Sequence, residues 1–134
     1  MTEKILIVDD DVDTLRLVGL MLQRQGYQIV AASNGSQGLE KAFEERPDLI
    51  LLDVMMPDMD GFEVTRRLRK NPATERIPVI FLTVKGKFEE FDNLKELGAL
   101  AVLTKPFDPT LLTEQITDIL KANPMPEPRV KPIE

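Results

Sequence analysis

Asp9 and Asp10 stand directly after the run KILIV, and Asp53 closes the run DLILL. Thr83 ends PVIFLT, and Lys105 follows AVLT. Carboxylates brought together repel one another unless a proton or a cation lies between them. A hard, oxygen-seeking ion such as Mg2+ suits such a cluster and keeps waters for a phosphate ligand. A carboxylate can itself be a nucleophile, forming an aspartyl phosphate. Lysine supplies a point charge for phosphate oxygens, and a threonine hydroxyl donates a hydrogen bond to them. The chain has no Cys and no His. Disulfides, thiolate chemistry and imidazole bases, ligands or phosphate carriers are therefore excluded, and carboxylates, Thr and Lys must carry the chemistry.

The elements that position these residues read as alternating strands and helices. Strand-like runs occupy Lys4–Val8, Tyr27–Ala31, Leu49–Leu52, Val79–Leu82 and Ala101–Leu103. Helical spacing appears in Leu15, Val18 and Leu22, in Leu39, Ala42 and Phe43, and in Phe62, Val64 and Leu68 after the Asp60-Gly61 turn. A fourth helix is predicted through Phe88, Phe91, Leu94 and Leu97, stopping at Gly98. The fifth has Asp108 as N-cap, Pro109 at its first position, and Leu112, Ile116 and Ile119 as its buried stripe. Five βα repeats predict a three-layer α/β sandwich, a parallel sheet with helices on both faces. In the flavodoxin-like strand order 2-1-3-4-5 the first and third strands are neighbours at the switch point, where ligands bind. Asp9, Asp10 and Asp53 then become neighbours, flanked by Thr83 and Lys105.

A chain of 134 residues with 43% hydrophobic and 30% charged residues fits one soluble domain. Its apolar runs are too short to cross a bilayer, and a cytoplasmic location is expected. The net charge of -6 opposes direct nucleic-acid binding by this domain. Residues 1–122 are expected to form the domain. Residues 123–134, with Pro at 124, 126, 128 and 132, read as an extended tail or linker. Arg66, Arg67, Arg69 and Lys70 read as a solvated helix face, Met55 as a loop residue and Met56 as a core residue.

The motifs ILIVDDD, LILLDVMMPDMDG, IPVIFLT and LTKPF follow in this order. On them the chain resembles the receiver domain of bacterial two-component response regulators, over roughly residues 3–121. The resemblance implies that Asp53 accepts a phosphoryl group from a phosphohistidine on a sensor histidine kinase or phosphotransfer protein. It implies Mg2+ (or Mn2+ in its place) held directly by Asp10, through water by Asp9, and by Asp53 and the backbone carbonyl of Met55. Thr83 and Lys105 would contact phosphoryl oxygens, and the peptide bond before Pro106 would be cis. The domain would catalyse only its own phosphorylation and dephosphorylation. It would pass the signal to an effector or linked output domain through its fourth helix, fifth strand and fifth helix, as a monomer or a weak phosphorylation-dependent dimer.

Four positions depart from the pattern. Val102 replaces the aromatic switch residue, Leu100 and Ala101 replace an acidic pair associated with dimerisation, and Val84 follows Thr83 where a small residue is usual. Valine is short and stiff, so the relay through Val102 is expected to be altered, and Val84 is expected to slow attack by water on the acyl phosphate. Two alternatives differ in class. A docking module without phosphorylation would keep the fold alone. Asp9–Val12 or Asp11–Leu15 also resembles the start of haloacid-dehalogenase-type phosphatases. That reading leaves Asp53 and MPDMDG unexplained and finds only Asp108, Glu114 and Asp118, in a helix, after Lys105.

Overall fold

The apolar runs of the central strands are buried on both faces of a sheet. The computed structural model describes residues 3–84, 99–105 and 108–122. In chain order these form β1 (Lys4–Val8), α1 (Val12–Arg24), β2 (Gln28–Ala32), α2 (Gly35–Glu45), β3 (Leu49–Asp53), α3 (Gly61–Lys70), β4 (Val79–Val84), β5 (Ala99–Lys105) and α4 (Pro109–Ala122). The sheet is parallel throughout, in the order β2-β1-β3-β4-β5. Thus the expected flavodoxin-like (βα)5 order holds. Helix α4 is the fifth helix of the sequence reading. The fourth, through 88–97, lies outside the described residues, as do Pro106 and residues 123–134.

Side chains alternate between faces along a strand, so each run divides between two cores. Leu6, Val8, Ile50, Leu52, Val79 and Phe81 pack under α2 and α3 with Ala42, Val64 and Leu68. Ile5, Ile7, Leu49, Leu51, Ile80 and Leu82 pack under α1 and α4 with Val18, Leu22, Leu112, Ile116 and Ile119. A sheet covered on both faces needs apolar residues at every position, which is why these strands read as unbroken runs.

Helix starts are set by side-chain oxygens that accept otherwise orphaned backbone N–H groups. Asp11 caps α1 by accepting from Asp13 N at 3.0 Å, Asn34 caps α2 through Gln37 N at 2.8 Å, and Asp60 caps α3 through Glu63 N at 2.9 Å. Asp108 accepts from Thr110 N at 2.8 Å, the capping role expected of it.

Some expectations are corrected. Strand β2 begins at Gln28, and β3, β4 and β5 extend to Asp53, Val84 and across Ala99–Lys105. Phe43 leaves the buried stripe of α2. It is 51% exposed, beneath the Arg46 guanidinium at 5.5 Å from its ring centre. Ala42 already faces the sheet, and one residue further turns the side chain away by about 100°. Arg69 does not belong to the solvated face. Its Nη1 donates to the carbonyls of Ile77 at 2.8 Å and Glu75 at 3.1 Å, and burial lowers its pKa. Arg66 and Arg67 remain outside, paired with Glu63 at 2.9 Å each.

Candidate metal centre at the carboxyl ends of the strands

Strand register brings the acids together. Val8 lies opposite Leu52, so Asp9 and Asp53 are the next residues along adjacent strands. Carboxylate oxygens of Asp9, Asp10 and Asp53 all lie within 4.8 Å of one another. Asp9 is fully buried and Asp53 nearly so at 4% exposure, whereas Asp10 faces solvent. Backbone groups fix the first of these: Asp9 N donates to Ala32 O at 3.1 Å, and Asp9 Oδ1 accepts from Asp11 N at 2.9 Å. Asp53 Oδ1 accepts from Met55 N at 3.3 Å.

Three carboxylates in this space, two of them withdrawn from water, fit a divalent cation with oxygen ligands. Asp10 is the member of the cluster that faces solvent, and Mg2+ characteristically retains waters.

The loop after β3 is fastened from several directions. Val54 N donates to Leu82 O at 3.0 Å, and Gly61 N donates to Val54 O at 2.8 Å. At Gly61 close approach calls for a residue without a side chain. A Cβ there would lie 2.8 Å from Asp53 O and 3.0 Å from Val54 Cα. Met56 is buried, and Met55 is 48% exposed, as their loop and core readings required. The carboxylate of Asp58 reaches across to the start of α2, accepting from Gly35 N at 2.9 Å and Ser36 N at 3.0 Å. These backbone donors hold the Asp58 carboxyl below the usual carboxylate range. Sequence reasoning missed Asp58. It is the one acid of MPDMDG that caps no helix of its own, and that was the available signal.

The backbone of β4 and β5 places Thr83 beside Thr104, Val84 beside Lys105 and Phe81 beside Val102. Thr83 follows Leu82, which pairs with Asp53. The side chains of Thr83, Val84, Leu100, Ala101, Val102 and Lys105 lie outside the described residues.

Residues 5–117 match the family profile described as response regulator receiver domain. The chain belongs to that family. This receiver is 42% identical over 130 residues to the alkaline phosphatase synthesis transcriptional regulatory protein PhoP of Bacillus subtilis, covering 96% of the chain and 52% of that protein. It therefore spans about half the length of that relative. It is also 42% identical over 121 residues to sporulation initiation phosphotransferase F of the same organism, covering 90% of the chain and 93% of the relative. Among solved structures, it resembles the receiver domain of the sensor histidine kinase PA1611 of Pseudomonas aeruginosa. The TM-score is 0.79 at 29% identity, over 88% of this chain and 97% of that one. That structure holds a magnesium ion coordinated in the active-site cleft. The receiver is thus a two-component signalling domain of a family phosphorylated on aspartate. Receivers of this family bind Mg2+ in their acidic cleft and work with histidine kinases and output domains. Among the described residues, no helix is long and apolar enough to cross a membrane.

Proposed function

We propose that Asp53 is the phosphoacceptor. The observation that carries this reading is the convergence of Asp53, at the end of β3, with the carboxylates of Asp9 and Asp10. An Asp53 carboxylate oxygen attacks the phosphorus of a phosphohistidine on a sensor histidine kinase or phosphotransfer protein. The P–N bond breaks, and the electron pair and a proton go to the departing imidazole. Asp10 and Asp53 would hold Mg2+ directly, Asp9 through water, with the Met55 carbonyl completing the protein ligands, and Mn2+ would be able to take its place. When bound, the ion offsets negative charge on the phosphoryl oxygens and the carboxylates. Thr83, next to last in β4, and Lys105, which ends β5, contact the remaining phosphoryl oxygens.

The receiver then acts by shifting a two-state equilibrium, because the phosphoryl group binds one state better than the other. The responding face comprises the fourth helix of the sequence reading, β5 and α4. It presents the signal to an effector or linked output domain, as a monomer or a weak phosphorylation-dependent dimer. Residues 1–122 form the receiver and 123–134 a tail or linker. It acts in the cytoplasm, with no nucleic-acid contact of its own and no turnover of an external substrate.

Incubation with acetyl phosphate and MgCl2 is expected to add one phosphoryl mass to the intact chain, and chelator or Asp53→Asn is expected to abolish it. No added mass would leave a docking module, and sustained phosphate release without label would indicate a phosphatase. Val84 and Val102 are the switch positions. A small residue is usual at position 84, so Val84→Ala is expected to ease attack by water on the acyl phosphate and shorten the lifetime of the label. An unchanged half-life would count against that role.

A further inference from the structure

The loop from Val54 to Asp60 carries Met55 and leads from the phosphoacceptor to α3, and within it Asp58 reaches another element. We infer that Asp58 is a positioning residue whose carboxylate ties this loop to the first turn of α2 and so sets how tightly the acidic site binds Mg2+. The inference rests on the metal site proposed above.

The tie is specific. Asp58 Oδ1 accepts from Gly35 N at 2.9 Å and Oδ2 from Ser36 N at 3.0 Å, so both oxygens are used. Asn34 takes a different donor of the same turn, Gln37 N. Orphaned N–H groups and the positive end of the helix dipole both favour a carboxylate there, and bonds to a charged acceptor are the stronger kind. The pKa of Asp58 is lowered in the same sense.

The start of α2 is a firm anchor for such a tie. A Cβ at Gly38 would lie 2.9 Å from Val8 Cγ1, so α2 sits tightly on the end of β1 just before Asp9. Asp9 N bonds to Ala32 O, at the end of the strand leading into α2. A Cβ at Gly35 would lie 2.9 Å from Met59 Cβ, which places the loop against the same turn. Asp58 therefore closes a circuit from Asp9 through β2 and α2 to the loop of Met55 and back to Asp53. On the other side of Met55, the loop bond to Asp53 Oδ1 is long, at 3.3 Å. Partners that orient metal ligands without touching the ion change metal affinity by roughly tenfold or more when removed.

The test is calorimetric titration of the full chain with MgCl2, comparing wild type, Asp58→Ala and Asp58→Asn, with circular dichroism recording that each is folded. Both variants lose the same charge, but asparagine keeps one acceptor oxygen. Asp58→Ala is expected to raise the Mg2+ Kd about tenfold and Asp58→Asn only about threefold. Unchanged Kd values overturn the inference and leave the metal site standing. An equal rise in both variants also overturns it, since lost charge alone then explains the result. Absence of Mg2+ binding by the wild type would instead overturn the metal site itself. Should the alanine variant fail to fold, the asparagine variant decides: a Kd equal to wild type overturns the inference.

Discussion

Phe81→Ala is expected to lower the thermal unfolding midpoint by roughly 10–20 °C, corresponding to a loss of about 3–5 kcal/mol. Phe81 is fully buried in β4, on the face of the sheet covered by α2 and α3. Its ring meets Phe62 edge to face, with centres 5.6 Å apart, and that contact holds the first turn of α3 against the sheet. Removing the ring loses its transfer free energy and leaves a cavity walled by strands that cannot collapse without breaking their ladder. Domains of this size are stable by only about 5–15 kcal/mol, so a large part of the total is at stake. Differential scanning calorimetry in chelator measures it without a metal contribution. A midpoint within about 3 °C of wild type would mean that the core refills the space.

Gly61→Ala is expected to cost about 2–3 kcal/mol of stability and to slow phosphorylation by acetyl phosphate as well. The added methyl group would meet Asp53 O at 2.8 Å and Val54 Cα at 3.0 Å, and also the Phe81 ring at 3.2 Å. The first two are backbone atoms and cannot rotate away. Relief requires either α3 to move out or the end of β3 to shift, and that end carries Asp53. Urea denaturation reads the first effect, and the rate of mass addition reads the second. Loss of stability with an unchanged labelling rate would show that α3 yields while the strand end holds its place.

Much of the architecture was legible because buried parallel strands and capped helices leave local marks. The runs around Ile5–Val8 and Leu49–Leu52 are apolar at every position, since both faces are covered. Asp108 was legible as a cap because a short polar side chain satisfies N–H groups that the helix cannot, and Asp11, Asn34 and Asp60 follow the same rule in the structure. What escaped depends on partners distant in sequence. Spacing alone put Phe43 on the buried stripe of α2 and Arg69 on an open face. In the fold, Phe43 points outward, and Arg69 bonds to the carbonyls of Glu75 and Ile77. Periodicity gives the angle around a helix but not the edge of its neighbour. Asp58 escaped for a similar reason, because its partners Gly35 and Ser36 lie in another element.

The acids at the strand ends divide in the same way. The sequence by itself determined that Asp9, Asp10 and Asp53 end strands, because an apolar run that stops at a carboxylate must stop where the sheet meets water or an ion. Only the tertiary structure decided that they meet within 4.8 Å and that Asp9 is buried while Asp10 is not. Strand order makes that meeting possible. With β3 paired beside β1 rather than beside β2, residues far apart in the chain become neighbours across one strand spacing of about 4.8 Å.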